Sequence, residues 1–535
     1  MPDEARPIEM RVSDRRRDRV VRRTGQRYLR RSRPLTPTDA TVVHLAAEYG
    51  SLAKAGGLAE AVSGLATAQA RAGIRTVVLL PLYRSVREAG GLEAIDALFP
   101  FTVGRHSGVG RLWRLLPDGG CLEPDVFAVE LDGFDRPGIY GEDGLDYPDN
   151  SRRFASFVAS ALVALPRLAP RASVVHAHDW HASLALPALR AWPTDETAFD
   201  RVGAVLAVHN AAYQGRFAPS VWADLGFSLP DGMDRDWEGR YAWLELGIEW
   251  ADHVVTVSAT HAQELRTPLG GFGLHRRFEA LGDRLTGLTN GIDQERWDPR
   301  SDACLAAPFS ADSLAGRLEC RRALLAEYRL PESDPAPVVG LVARLIEQKG
   351  LDLLLDGTVE RFPGVRFIVL GRGTRDYEER LLALAARFPD RVRVPLAFSD
   401  RAERQLLAGC DLVLIPSLFE PCGLVQMHAQ RYGSVPVARR VGGLAETVWD
   451  QETGFLFQDY SSASLQEALG RALGALADRP RWEAMMRAGM RADFGWDRSV
   501  GAYSDAYRRA LRRRDALLTG RPADQSRHAP SFASP

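Results

Sequence analysis

A chain of 535 residues exceeds what a single hydrophobic core sustains and points to two domains or more. With 45% hydrophobic and 26% charged residues and a formal net charge of -1, it reads as an ordinary globular protein with no electrostatic reason to bind nucleic acid. No apolar run reaches the about 18 residues of a membrane span, and the Arg-rich start lacks the apolar core of a signal peptide, so no membrane partner is expected.

Residues 1–40 hold twelve Arg against six acidic residues and almost no periodic apolar positions, the pattern of a solvated, flexible extension with a short basic helix near Arg15–Arg31. Folded sequence begins with the strand Thr41–Ala47, followed by a loop over Glu48–Lys54 and a helix from Gly56-Gly57 to about Ala72. The strand Gly73–Pro81 completes a β-loop-α-β unit. A glycine pair opening a helix lets backbone N–H groups and the helix dipole meet an anion. Residues 100–150 read as short strands and turns. A helix over 151–165 leads to the strand Ser173–Ala177 and then to His178-Asp179-Trp180-His181.

His176, His178 and His181 have HxHxxH spacing, but a strand-to-helix bend scatters such rings and no further Cys or His ligand lies nearby. Asp179 at the strand end is the better functional candidate. The strand Ala204–Val208 likewise ends in the polar pair His209-Asn210, where side chains of an open α/β sheet face a ligand. Asp234-Arg235-Asp236 has the DxD spacing of metal-dependent transferases but lies in a polar loop. The strand His253–Val257 precedes Ser258, and Leu285–Leu288 runs into Thr289-Asn290-Gly291.

A second α/β alternation starts at Val338. A buried strand ending near Ala343 gives way to the polar loop Arg344–Gly350 and then to a Leu-rich helix, so two cations five residues apart lie at a strand's carboxyl end, as for a phosphate pair. Further strands are expected at Val365–Leu370, Val392–Leu396, Asp411–Ile415 and Ser434–Ala438. Amphipathic, Arg-rich helices fill 462–514. The octet Val441–Val448 echoes Ala55–Val62, which suggests two related doubly wound halves. Among 68 Lys plus Arg only Lys54 and Lys349 are lysines, and a chain this averse to Lys keeps it where a compact point charge fits and a planar fork does not. The five cysteines (Cys121, Cys304, Cys320, Cys410, Cys422) are odd in number and lack CxxC spacing, as in a reducing cytoplasm.

Six motifs occur together and in order: Glu48…Lys54-Ala55-Gly56-Gly57-Leu58, His176–Ala182, Val208–Gly215, Thr289–Asp293, Arg344…Gln348-Lys349-Gly350, and Pro416-Ser417…Phe419–Leu424. In these the chain resembles the bacterial glycogen synthases and plant starch synthases, retaining glycosyltransferases of the GT-B fold, over roughly residues 41–512. The resemblance implies an α/β fold of two doubly wound, Rossmann-like domains facing each other across a deep cleft. It implies an N-terminal, acceptor-side domain at 41–286, a nucleotide-sugar domain at 287–495 and a helix at 496–514 packing back on the first domain. The tail at 515–535 falls outside the resemblance and is expected to be disordered from its polar, Pro-, Ser- and Ala-containing composition.

It also implies transfer of glucose from ADP-glucose to the non-reducing-end 4-hydroxyl of an α-1,4-glucan, with no cofactor or metal required. By similarity, Arg344 and Lys349 hold the diphosphate, and Lys54 with Gly56 and Gly57 reaches the donor from the other domain. Glu420, Cys422, Gly423 and Leu424 line the glucose and distal phosphate. Asp179, His209, Asn210, Asn290 and Gln348 surround the transferred sugar, and Phe398 lies against adenine. Cations and helix N-termini stabilise the departing ADP without a metal. Neither Asp179 nor Glu420 can be placed by sequence as a nucleophile on the face opposite the leaving group. The resemblance implies same-face attack assisted by the departing phosphate.

The chain departs from the family at Ser51, Glu60 and Val425, where Pro, Asp and Thr are usual. A phosphorylase would need a Schiff-base lysine, and both lysines read as phosphate binders. A GT-B enzyme making maltose phosphate differs in acceptor, and a non-catalytic glucan-binding scaffold would be expected to lose one of the charged residues.

Overall fold

The computed structural model describes residues 40–116, 123–142, 144–191, 199–227, 232–332 and 336–520. All of the Arg-rich extension except Ala40, Cys121 and the chain beyond Gly520 lie outside them. The chain packs as two compact units. Of the described residues, the first comprises those from Ala40 to Val257 with Ala262–Leu288 and those from Trp496 to Gly520; the second comprises Ser258–His261 and those from Thr289 to Gly495.

The first unit is built on a nine-stranded sheet. Its strands are β1 (Thr41–Leu45), β2 (Arg75–Pro81), β3 (Leu92–Val103), β4 (His106–Leu115), β5 (Asp125–Glu130), β6 (Ala172–His178), β7 (Gly203–Val208), β8 (His253–Thr256) and β9 (Leu285–Gly287), in the spatial order β9-β8-β7-β6-β1-β2-β5-β4-β3. The pairs from β9 across to β5 are parallel, and β3 and β4 add an antiparallel edge. That edge corrects the reading of short strands after residue 100. Residues 92–115 form one long hairpin whose exposure alternates along the strand, the mark of a sheet with one wet face. Central strands such as β1 and β7 are buried along their whole length, as their continuous apolar runs require. Helix α1 (Gly57–Arg71) buries Leu58, Val62, Leu65 and Ala66 on one face.

The terminal helix Asp497–Thr519 belongs to the first unit. Its Val500, Tyr503, Tyr507 and Leu511 join Val42, Leu65, Val174 and Val205 in one cluster. Trp496 packs where a side chain on Gly64 of α1 would stand, 2.0 Å from an added Cβ. The helix runs through residues 515–519, where a disordered tail was expected. Ala-Leu-Leu favours helix there, and Gly520 at φ 65 ends it.

In the second unit, β10 (Val338–Val342), β11 (Arg366–Leu370), β12 (Val392–Arg393), β13 (Leu412–Ile415), β14 (Val435–Arg439) and β15 (Phe455–Phe457) form an all-parallel sheet ordered β12-β11-β10-β13-β14-β15. In both sheets the chain fills one side of a central strand and then crosses to its other side. The reversal falls between β1 and β6 in the first unit and between β10 and β13 in the second. Crevices at the carboxyl ends of such strands are where open α/β sheets bind ligands.

Candidate active site

The loop after β1 is folded around Glu48. Its Oε2 accepts the Ala55 and Gly56 N–H groups at 2.8 and 2.9 Å, and its Oε1 accepts the Tyr140 hydroxyl at 2.6 Å. The carboxylate is buried and spends its acceptors on fixing the glycine turn. Lys54 projects from that turn, half-buried, with Nζ 2.7 Å from Glu60 Oε1. Gly56 and Gly57 open α1 with no side-chain cap, so the positive end of the helix is closed by neither a hydroxyl nor a carboxylate of its N-cap.

Across the switch point, Asp179 follows β6 directly and opens the short helix Asp179–Ser183 with φ 54, a left-handed conformation rare outside glycine. Its Oδ1 accepts the His209 N–H at 2.7 Å and the Asn210 N–H at 3.4 Å, tying the ends of β6 and β7 together. Burial pushes the Asp179 carboxyl up to about 7, against the pull of those two backbone donors. Asn210 uses its own Oδ1 to accept the Ala212 N–H at 3.1 Å. Burial holds the His209 imidazole down to about 3, so the ring is neutral at physiological pH.

The HxHxxH spacing does not make a triad. His181 stacks on Tyr140 at 4.7 Å, while His176 and His178 gather with His44 from β1, with ligand nitrogens all within 4.8 Å of one another. His44 Nδ1 and His178 Nε2 face each other at 2.9 Å with a proton between them, so that pair does not offer two lone pairs to one ion. Asp236 accepts the Arg240 guanidinium and the Glu238 and Arg240 backbone N–H groups, which makes it the anchor of a turn.

The second unit's cluster lies at the ends of β10 and β13. The loop after β10 makes a single 3-10 turn, Glu347–Lys349, and Gly350 at φ 67 starts the helix Leu351–Leu355. Lys349 Nζ is 2.6 Å from Glu420 Oε2, and the Ser417 hydroxyl donates to the same oxygen at 2.9 Å. Gln348 is buried and stitches the two loops together. Its Nε2 donates to Phe419 O at 3.2 Å, and its main-chain carbonyl accepts the Leu418 N–H at 2.9 Å. Arg344 stands exposed two residues past β10. Phe398, 47% exposed, sits on the loop after β12.

Cys422 is buried, and burial pushes its thiol up to about 12 against a backbone hydrogen bond from Asn290. It is a thiol, not a nucleophilic thiolate. Asn290 keeps Oδ1 buried without a hydrogen-bond partner, an acceptor set beside this loop. Gly423 takes φ 74 and Leu424 caps the helix Val425–Arg431. The segment Ser258–His261 joins this unit through Ser258 Oγ to Pro421 O at 2.6 Å and Thr260 N–H to Glu446 Oε1 at 2.5 Å.

The glycine echo needs correction. Gly57 opens a fifteen-residue helix after the first strand of its unit, whereas Leu444–Thr447 is a four-residue turn of helix after β14. Gly442 has φ 43, and an added Cβ there would lie 1.9 Å from Glu420 O, so these glycines exist to let the backbone at 420–422 approach. Sequence reasoning gave no role to Glu48, Ser417 or Glu446. Glu48 and Ser417 stand inside quoted motifs, which was the available signal; Tyr140 and Tyr507 have no such signal, because their partners lie far off in the chain.

Comparison with known proteins covers both units. Residues 41–280 match the starch synthase catalytic domain family and residues 328–485 the glycosyl transferases group 1 family. Glycogen synthase from Syntrophotalea carbinolica is 36% identical over 477 residues, spanning 87% of this chain and 98% of its own. Glycogen synthase 2 from Geobacter sulfurreducens is 37% identical over 484 residues, 88% of this chain and 98% of its own. Among solved structures, the catalytic domain of starch synthase IV from Arabidopsis thaliana, bound to ADP and acarbose, superposes with a TM-score of 0.80 at 30% identity, covering 88% of this chain and 99% of that one. A sucrose-phosphate synthase from Thermosynechococcus elongatus, at 17% identity and a TM-score of 0.57, shares the fold. This chain belongs to the glycogen and starch synthase family of GT-B glycosyltransferases.

Proposed function

We propose that the protein transfers glucose from ADP-glucose to the 4-hydroxyl at the non-reducing end of an α-1,4-glucan, with retention of configuration. The observation that carries this reading is the Lys349–Glu420–Ser417 cluster at the switch point of the second unit, in a chain 30% identical to a starch synthase domain bound to ADP and acarbose. Lys349 is held ready as a point charge, and Arg344 stands exposed on the same loop to meet a diphosphate. As the bond from C1 to the phosphate oxygen breaks, charge grows on ADP and is met by these two cations. The incoming hydroxyl forms its bond to C1 on the same face and passes its proton to the departing phosphate.

In the first unit, the polar ends of β6 and β7 offer Asp179, His209 and Asn210 to the transferred sugar; in the second, Asn290, Gln348, Cys422, Gly423 and Leu424 are the residues offered to it. Lys54 and the Gly56-Gly57 helix start reach the donor during transfer. Phe398 supplies an aromatic face for adenine.

The test incubates purified protein with glycogen and either ADP-glucose or UDP-glucose, and measures nucleotide release and glucan extension. Extension with ADP-glucose preferred is expected. Nucleotide release without glucan extension, or transfer confined to a small sugar phosphate, overturns the reading.

A further inference from the structure

Behind His209 runs a continuous buried chain of hydrogen bonds. His209 Nε2 meets His178 Nδ1 at 2.9 Å, His178 Nε2 meets His44 Nδ1 at 2.9 Å, and His44 Nε2 meets Gln69 Oε1 at 2.8 Å. Gln69 Nε2 donates to the Tyr507 hydroxyl at 2.7 Å, and that hydroxyl meets His176 Nδ1 at 3.0 Å. His44, Gln69, His176 and Tyr507 are each fully buried, and His178 nearly so. Four elements contribute: β1, α1, β6 and the terminal helix.

Hydrogen-bond chemistry gives this chain a direction. The Gln69 carbonyl oxygen only accepts, so His44 Nε2 carries a proton. Burial lowers His44 to about 4, and His178 well below the ordinary histidine value, so each ring is neutral and carries one N–H. His44 Nδ1 is then an acceptor, His178 Nε2 its donor, His178 Nδ1 an acceptor and His209 Nε2 the donor. Nδ1 of the half-buried His209 ring lies outside the chain and keeps its lone pair. Reversing the Gln69 amide would move every proton over. As it stands, the Tyr507 oxygen accepts from the Gln69 amide and its own proton goes to His176 Nδ1, an arrangement in which each of these polar atoms is matched.

We propose that Gln69 and Tyr507 are positioning residues that act at a distance on His209: the Gln69 carbonyl, oriented by Tyr507, fixes the Nε2-protonated tautomer of His209 through His44 and His178, leaving Nδ1 as an acceptor for a sugar hydroxyl. The tautomer depends only on the buried chain. Its effect on rate rests on the reading of His209 beside the transferred glucose. The terminal helix thereby does more than cover the sheet, because it supplies the hydroxyl that orients the first amide of the relay.

The test uses the full chain labelled with 15N-histidine, with ring tautomers read by NMR and assigned by single replacements. Wild type should show His209 with the proton on Nε2. Tyr507→Phe keeps the ring's packing and removes only the hydroxyl, and Gln69→Leu removes the acceptor. In both, the His209 nitrogens should move toward a mixture of tautomers, and turnover should fall about tenfold, the scale of one mispositioned hydrogen bond, with ADP affinity unchanged. Thermal unfolding confirms that each variant is folded. A proton on Nδ1 in wild type overturns the proposal, as does an unchanged His209 in whichever variants fold. If the tautomer shifts and turnover does not, the relay stands and the placement of His209 against the sugar falls.

Discussion

Lys349 sits 2.6 Å from Glu420 and Lys54 sits 2.7 Å from Glu60, so each of the chain's two lysines is held by a carboxylate of its own unit. The ion pair orients the ammonium before any substrate arrives, which is what stabilisation of developing charge needs. Lys349→Ala should lower turnover by about a hundredfold or more, measured as ADP release under saturating donor. Lys349→Arg should also be poor, since a planar fork cannot occupy the ammonium's point beside Glu420 and Ser417. Near-normal turnover in the arginine variant would show that any cation suffices.

Asp179 offers a test by stability. Burial raises its carboxyl from 3.8 to about 7, so between those values the folded state keeps a proton that the unfolded chain has lost. Stability from this group therefore falls as pH rises through that window and levels off above it. Asp179→Asn keeps an acceptor for the His209 N–H and removes the titration. Its melting temperature relative to wild type should rise from about pH 4 to about pH 7, and a gap independent of pH would show the carboxyl to be ionised throughout.

Glycine placement separates two kinds of element. Gly350 and Gly357 both have positive φ, at 67 and 73, and both precede helices of the second unit. A Cβ on Gly357 would meet nothing within 4 Å, whereas one on Gly350 would lie 2.0 Å from Pro416 O. Gly357→Ala should cost only about 1 kcal/mol of backbone strain in chemical denaturation. Gly350→Ala should cost clearly more and also weaken ADP binding, because the loop from Gln348 to Gly350 must shift away from Pro416–Leu418. Equal costs at the two sites would mean that the contact relaxes freely. The β10 strand, polar loop and helix were legible from their apolar run and its sharp polar break. The β3–β4 hairpin was not, because its half-exposed alternation looks like scattered short strands. The octet echo pointed to two doubly wound halves, which both units are, but its shared residues open a long helix in one place and permit a tight backbone contact in the other.

At the scale of the molecule, Lys54, Asp179 and His209 belong to the first unit and Arg344, Lys349 and Glu420 to the second. Lys54→Ala should therefore bind ADP almost as wild type does in calorimetry yet turn over poorly, whereas Arg344→Ala should lose both affinity and rate. Equal loss of ADP affinity in both variants would end that division of labour. The sequence by itself determined the alternation of strands and helices, the strand ends that carry Asp179, His209 and Lys349, and the family, because apolar periodicity and contiguous motifs are local properties. Only the tertiary structure decided what depends on residues distant in the chain. It joined Ser258–His261 to the second unit, and set Tyr140 on Glu48 and Tyr507 on Gln69. Those partners stand 92 and 438 positions apart, and buried polar groups find each other only when the sheet they pack on has closed around them.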